Sequence, residues 1–444
     1  MILSDDINQC QTLISETLES GIELSISSDT RNFKNENCFL SLYGENFDSI
    51  NFLEDVIQKG AKFILLEKRE QNKEAIEKLV TTYQEISFVL FTNIFEAILE
   101  LGKIRSLRFQ REGGKVIGIT GSNGKTTNKE MLKHLLSFQD ESKVHATKGN
   151  LNNQIGVPLT LFAIEEDHEV AIVEMGTNFP GEIESLVNCA QPQYGFITNI
   201  GYAHTEFLVD LEGVFKEKTA LYRGIEERED GIFVINSSDD YLKRLEGAKN
   251  TLSLSNDDYN LFKNETLLGE HQVTNMAMCL KLALVLFPQE KDKIVEKAEN
   301  YKPPGMNRGE VRSFKEALVY LDAYNANPSS MRASLNSFCA YLMSHSLLVK
   351  DAVAILGDMN ELGEKGPFLH KEIGTYLSEL GFESAIFVGR YSKNYAEGFA
   401  AESRLFEDSK ALKQWVGEDK ISQKVWFIKG SRSLQLESIL DING

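Results

Sequence analysis

The stretch Val116-Ile-Gly-Ile-Thr-Gly-Ser-Asn-Gly-Lys-Thr-Thr127 constrains this chain more than any other. Val116, Ile117 and Ile119 predict a short buried strand. Gly121-Ser122-Asn123-Gly124 is a turn too tight for bulky side chains. Lys125, Thr126 and Thr127 follow, and Met131, Leu132, Leu135 and Leu136 then recur at helical spacing, which starts a helix at the threonines. Strand, glycine turn, Lys-Thr and helix together make a phosphate cradle. Loop amides and the helix N-terminus face the anion, Lys125 adds a point charge, and the Thr126 hydroxyl can hold Mg²⁺. The spacing is shorter than in the common P-loop, because Ile119 occupies the position where the first glycine would stand and Gly121 takes that part.

The rest of the chain predicts an α/β protein of three domains. With 444 residues there is enough chain for several full cores. Residues 1–110 form a small α/β domain with strands at Ile22–Ile26, Asn37–Leu42 and Lys62–Leu66, and Glu112-Gly113-Gly114 is a hinge. Residues 111–304 alternate strand and helix as a doubly wound, mostly parallel sheet around the P-loop. Its strands are expected at Val170–Val173, Tyr194–Thr198 and Gly231–Ile235, and its helices at Pro180–Cys189, Val214–Ile225 and His271–Phe287. Tyr301-Lys-Pro-Pro-Gly305 is a linker. Residues 305–444 repeat the pattern as a Rossmann-like domain, with strands at Leu318–Leu321, Ala352–Leu356, Ala385–Val388 and Val425–Ile428.

A net charge of -19, from 47 basic and 66 acidic residues, argues against non-specific nucleic-acid binding. The cysteines Cys10, Cys38, Cys189, Cys279 and Cys339 are widely spaced and odd in number, as expected of reduced core residues in a cytoplasmic protein. The acidic start Met1–Asp6 lacks the basic segment of a signal peptide, and Met278–Phe287 is too short to span a membrane. No strongly apolar exposed face stands out, so a monomer is expected.

Strand and helix ends carry the remaining chemistry. Glu174 closes the strand at 170–173, where a carboxylate can reach a P-loop Mg²⁺, though an ordinary solvated glutamate fits the same pattern. His204, in Thr198-Asn199-Ile-Gly-Tyr-Ala-His204, is either a metal ligand or a polar loop residue. Lys218 lies on the following helix, where a surface lysine is the default. These residues alone imply an enzyme using ATP or GTP.

Together the motifs resemble the Mur ligase superfamily through all three domains, most closely the branch that joins D-alanyl-D-alanine to UDP-N-acetylmuramoyl-tripeptide. Gly121-x-x-Gly124-Lys125-Thr126-Thr127 is similar to its short P-loop, Glu174-Met-Gly to its Mg²⁺ glutamate and Asn199-Ile-Gly-x-Ala-His204 to its metal histidine. Lys218 matches a lysine that the family carbamylates as a ligand for a second Mg²⁺, although Ala220 stands where glutamate is common. Gly269-Glu-His-Gln272-Val-Thr-Asn275 resembles the adenine-side motif, with Gln272 for the usual asparagine and Asn275 as the adenine contact. Arg308 resembles an ATP-reaching arginine. Asp322-Ala-Tyr324-Asn325-Ala-Asn327-Pro328 is similar to the branch's nucleotide and catalytic loop. The Asp-Asn-Pro-Arg string expected of the branch adding the third residue is absent. Asn150, Asn152 and Asn153 fall in a loop resembling the muramoyl-peptide contact, Asp29-Thr30-Arg31 in one resembling the uridine loop, and Lys429 and Ser431 in a C-terminal motif given a binding role. The resemblance implies ATP activating a carboxylate as an acyl-phosphate, Lys125, His204, Lys218 and Asn325 serving the chemistry, and a C-terminal domain that closes over the site.

Overall fold

The computed structural model describes every residue except Gln139, His204, Leu268, 304–306, Asp419 and 442–444. The N-terminal sheet is parallel, in the order β1 (Ile26–Ser27), β2 (Cys38–Leu40), β3 (Phe63–Glu67) and β4 (Ser87–Phe91). The strand expected over Ile22–Ile26 is split. Glu23–Leu24 pairs with Ile2–Leu3 in a separate ribbon, while Ile26–Ser27 joins the main sheet. Asn37 bridges the break, its Oδ1 accepting from Ser25 N at 2.9 Å and its Nδ2 donating to Glu23 O at 2.9 Å.

A helix that the sequence reading did not place, α1 (Ile94–Arg111), follows, capped by Asn93 Oδ1. Its first half packs in the N-terminal core with Cys38, Leu40 and Phe91, where Phe162 of the central domain also inserts. Phe109, near its end, belongs to the central core instead. Midway, a Cβ on Gly102 would stand 2.5 Å from Cys189 Sγ, so the helix crosses the central domain at a distance only glycine permits. At the Glu112–Gly114 turn, Gly114 N donates to Phe109 O at 2.9 Å and closes the helix end.

The central sheet is wholly parallel. In chain order it contains β5 (Lys115–Thr120), α2 (Lys125–Leu136), β6 (Val144–Ala146), α3 (Gly156–Phe162), β7 (Val170–Glu174), α4 (Glu182–Ala190), β8 (Tyr194–Ile197), α5 (Leu211–Lys218), α6 (Ala220–Glu226), β9 (Ile232–Ile235), β10 (Thr251–Ser253) and α7 (Glu270–Leu286). The strand order is β6-β7-β5-β8-β9-β10, which sets the P-loop strand between β7 and β8. Sheet order reverses on either side of β5, and the crevice above its carboxyl end is where ligands bind in such folds. Both faces of the sheet are covered. Ile117 and Ile119 point to α2 and α7 with Met131, Leu135, Met276 and Leu280. Val116 points the other way, to Val157, Leu161, Leu186 and Leu221. That period-two alternation, buried on both sides, is why the strand reads as a continuous apolar run. The helix expected over Val214–Ile225 breaks at Thr219 into α5 and α6.

The C-terminal sheet contains β11 (Glu310–Phe314), β12 (Ala317–Leu321), α8 (Pro328–Ser344), β13 (Ala352–Gly357), β14 (Ser384–Val388), β15 (Glu402–Phe406) and β16 (Val425–Lys429), ordered β11-β12-β16-β13-β14-β15. All neighbours are parallel except β11, which pairs antiparallel with β12. β11 was not foreseen, because its half-exposed residues carry no apolar run. The linker expected over Tyr301–Gly305 falls partly outside the described residues.

Candidate active site between the central and C-terminal domains

A cavity of about 530 Å³ lies between these two domains, over the carboxyl end of β5. Its central-domain wall is Ser122–Thr127 with Asn150, Asn152, Asn153, Glu174, Gln272 and Asn275. Its C-terminal wall is Arg308, Asp322, Tyr324, Asn325, Asn327 and Lys429. The structure therefore brings together, around one space, most of the residues singled out in the sequence.

The glycine loop is held from behind by Asn199. Its carbonyl accepts from Ser122 N at 3.0 Å, its Oδ1 accepts from Asn123 N at 3.1 Å, and its Nδ2 donates to Asn123 O at 3.1 Å. Two of the loop amides expected to face an anion are thus already engaged. The first-turn amides of α2, which have no acceptor within the helix, are the ones left for it. Gly121 is required here, since a Cβ would lie 1.8 Å from Thr198 Oγ1. Lys125 Nζ folds back to donate to Gly121 O at 2.8 Å. Burial holds its pKa below the ordinary lysine value, and the Glu174 carboxylate partly opposes that shift.

Glu174 is 2% exposed, so the solvated-glutamate alternative does not apply. Its Oε1 accepts from Asn152 Nδ2 at 2.8 Å, and its Oε2 is buried with no hydrogen-bond partner among the described residues. A buried carboxylate oxygen without a donor is costly and calls for a cation. The nearby Thr126, 6% exposed, adds a hydroxyl of the right chemistry for a hard ion. Among the described residues no group of three or more His, Cys, Asp or Glu is gathered to hold a metal, and His204 lies outside them.

Lys218 is 1% exposed, against the surface position a lone lysine would be given. Burial, and secondarily the charge of Lys125, pull its pKa well below the ordinary range. It does not line the cavity itself. Of the loop asparagines, Asn152 orients Glu174, Asn153 Oδ1 accepts from Gly156 N at the start of α3 at 2.9 Å, and Asn150 and Asn153 are exposed. Asn275 lies beside the phosphate loop, its Nδ2 being 3.3 Å from where a Cβ on Gly124 would stand.

From the other domain, Lys429 Nζ donates to Asp322 Oδ2 at 2.6 Å and to Asn325 O at 3.0 Å, joining the strand ends of β12 and β16. The Arg308 guanidinium stacks 3.7 Å over the Tyr324 ring. Ser431 points away from the cavity: it is 2% exposed and its Oγ accepts from Asn360 N at 3.0 Å. Asp29, Thr30 and Arg31 are not in the cavity wall either. They form their own turn in the N-terminal domain, where Asp29 Oδ1 accepts from Arg31 N at 3.0 Å and Lys59 donates to Thr30 O at 2.7 Å.

Sequence reasoning missed Tyr301 and Ser334. Each lines the cavity with a buried polar atom lacking a partner among the described residues, as Gln272 Oε1 and Arg308 Nε also do. Helical spacing signals Ser334, since it follows Ser330 by one turn on α8 and both face the space. Nothing in the sequence marks Tyr301 beyond its place at the linker.

The Mur ligase middle domain model matches residues 119–265, and the Mur ligase glutamate ligase domain model matches residues 307–432. The UDP-N-acetylmuramoyl-tripeptide–D-alanyl-D-alanine ligase of Borreliella burgdorferi is 30% identical, over 94% of this chain and 93% of its own length. The enzyme of the same name from Bacillus subtilis is 29% identical, over 97% of this chain and 95% of its own length. Among solved structures, MurF from Acinetobacter baumannii superposes with a TM-score of 0.77 at 27% identity, covering 94% of this chain and 92% of that one. MurF ligase from Thermotoga maritima in complex with ADP shares the fold, with a TM-score of 0.74 at 21% identity, covering 94% of this chain and 96% of that one.

Proposed function

The chain belongs to the Mur ligase family, and from that premise we propose that it is the ATP-dependent ligase joining D-alanyl-D-alanine to UDP-N-acetylmuramoyl-tripeptide, the step that completes the pentapeptide precursor of peptidoglycan. The observation that carries this reading is the shared cavity. A phosphate loop on one wall faces the Asp322–Asn327 loop on the other, so ATP and two further substrates can meet between domains.

The reaction is an amide synthesis in two steps. A tripeptide carboxylate oxygen attacks the γ-phosphorus of ATP, the bond to the β-phosphate oxygen breaks, and ADP leaves. The dipeptide amine then attacks the acyl carbon, and the tetrahedral intermediate expels phosphate as the amine loses its proton. Both the carboxylate and the phosphates are anionic, so their approach needs positive charge in a water-poor site. Lys125 and the first-turn amides of α2 supply it at the phosphate end. Thr126 and Glu174 are the residues that would hold Mg²⁺, with His204 and a carbamylated Lys218 for a second ion. Bound there, Mg²⁺ would draw charge from the phosphate oxygens and lessen their repulsion of the carboxylate. A depressed pKa supports the Lys218 assignment, because only the neutral amine adds to carbon dioxide, giving the carbamate and a proton.

Residues 111–304 are assigned to ATP. Gly121, Ser122, Asn123, Gly124 and Thr127 are assigned to the phosphates and Asn275 to the adenine, and Arg308, Asp322, Tyr324 and Asn327 reach the nucleotide from the facing domain. Residues 1–110 are assigned to the UDP-muramoyl end through Asp29, Thr30 and Arg31, with Asn150, Asn152 and Asn153 toward its peptide. Residues 305–444 are assigned to the dipeptide, with Asn325 and Lys429 at the reacting end. Ser431 acts there through the loop it braces. No described helix is long and apolar enough to cross a membrane. Action as a monomer in the cytoplasm, where nucleotide-linked precursors are made, completes the proposal.

The test is phosphate release from ATP with UDP-muramoyl-tripeptide, with and without D-alanyl-D-alanine, followed by product mass. Release that requires both, and a mass gain of one dipeptide less water, is the expected result. Turnover indifferent to the dipeptide overturns the assignment.

A further inference from the structure

Helix α4 begins without a cap of its own. Its N-cap is Gly181, which has no side chain to bond the exposed first-turn amides. The cap comes from another helix. Glu217 Oε2 accepts from Gly181 N at 2.7 Å, and its Oε1 accepts from Ile183 N at 2.8 Å. The same Oε1 lies 3.3 Å from Thr177 Oγ1. Glu217 is 7% exposed, so these are charge-assisted bonds in a water-poor place, aligned with the positive end of the α4 dipole.

The two ends that this carboxylate joins matter to the reaction. Glu217 immediately precedes Lys218 at the C-terminal end of α5. Gly176, Thr177, Asn178 and Glu182 line the cavity, in the segment that leaves Glu174 at the end of β7. A second acid finishes that segment: Glu182 Oε2 accepts from Asn178 N at 2.6 Å and from Phe179 N at 3.0 Å. The segment is thus closed by its own hydrogen bonds, and Glu217 ties it to the helix end carrying Lys218.

We propose that Glu217 is a positioning residue for ligation, locking the Thr177–Ile183 wall of the cavity to the helix end that presents Lys218. The inference rests on reading Lys218 as a carbamylated residue of the reaction site. Its substance is that the spacing between Lys218 and the Glu174 side of the cavity is set by a side chain that touches neither substrate nor nucleotide.

The experiment uses the full chain and the variant Glu217→Gln. The amide keeps the volume of the acid but turns an NH₂ toward one of the two backbone donors, so one arm of the brace breaks. Three quantities are read in both proteins: kcat and KM for ATP well below the melting midpoint, the midpoint itself, and the ¹³C carbamate resonance after equilibration with labelled bicarbonate. The expected variant is folded, with kcat down about 10–100-fold, KM for ATP within about threefold, and a weakened carbamate resonance. Glu217→Asp, which shortens the reach but keeps the charge, is expected to fall between the two, and it decides by the same readouts if Glu217→Gln does not fold. A lowered midpoint with unchanged kcat and carbamate makes Glu217 a helix cap only and overturns the inference alone. A wild-type chain with no carbamate resonance overturns the Lys218 reading, and this inference with it.

Discussion

Asn327 Nδ2 donates to Asn123 Oδ1 at 2.7 Å, so the C-terminal domain touches the glycine loop itself. The same side chain caps α8, its Oδ1 accepting from Ser330 N at 2.9 Å. One asparagine therefore starts a helix in one domain and meets the phosphate loop of the other.

The two duties of Asn327 are separable. Asn327→Asp keeps the capping oxygen and puts an acceptor where the donor to Asn123 was. The melting midpoint should stay near wild type, while KM for ATP rises about tenfold, equivalent to the loss of one amide–amide hydrogen bond of roughly 1.4 kcal/mol. Asn327→Ala should lose the cap as well, at a further cost of about 1 kcal/mol in denaturant unfolding. Equal ATP affinity in both variants and wild type would remove Asn327 from the nucleotide site.

Glu174→Gln separates stability from activity. Its Oε2 is a buried carboxylate oxygen without a donor among the described residues, and the glutamine carbonyl can still accept from Asn152. Neutralising it should leave the ligand-free chain at least as stable as wild type, by up to about 1 kcal/mol. Ligation should fall about 100-fold or more, with a raised Mg²⁺ requirement. A destabilised variant of full activity would mean that the oxygen is satisfied within the protein and does not serve a cation.

Lys218→Ala should abolish ligation without unfolding the chain at neutral pH. The wild-type side chain is buried with its charge disfavoured, so removing it relieves that penalty but leaves a cavity costing about 2 kcal/mol. Millimolar formate or acetate should restore part of the rate by supplying the missing carboxylate. Rescue by neutral amides of the same size, and not by acids, would point to space filling instead.

His145 should make the fold acid-sensitive. Its ring nitrogen Nε2 is 2.8 Å from Thr160 O, and burial, with the neighbouring His168, lowers its pKa to about 4 from 6.5. Above pH 6.5 the ring is neutral whether the chain is folded or not, so the fold suffers no penalty. Between 6.5 and 4 the unfolded chain takes up the proton and the folded chain does not, so stability falls as pH falls. At pH 5 this is worth roughly 2 kcal/mol. His145→Gln should reduce the pH 7 to pH 5 difference in unfolding free energy by about that amount. An unchanged difference would place the acid sensitivity elsewhere.

The sequence announced this site unevenly. Strand β5 and helix α2 were legible because a double-sided apolar run, a glycine turn and a helical stripe fall in immediate succession. Strand β11 was not, because an edge strand with one solvated face carries no such run. Residue types signalled chemistry but not partnership. Asn153 and Ser431 belong to binding-type motifs, yet each spends its side chain bracing a loop. Lys218 looked like a surface lysine until neighbouring elements covered it. Asn199 fastens the phosphate loop through its carbonyl, Oδ1 and Nδ2, because the fold sets the end of β8 behind that loop, a pairing that local sequence does not mark.

Helix α1 is shared by two cores, meeting Phe162 in one and sending its own Phe109 into the other. The first domain is therefore not an interchangeable module. A head transplanted from another ligase would have to arrive with this helix, with a glycine at the crossing over Cys189, and with a hollow shaped for Phe162. A graft spliced at the Glu112–Gly114 turn with its own helix would present a foreign surface to the central sheet. The helix is thus a keel common to two hulls, its first half shaped by the N-terminal core and its end by the central one.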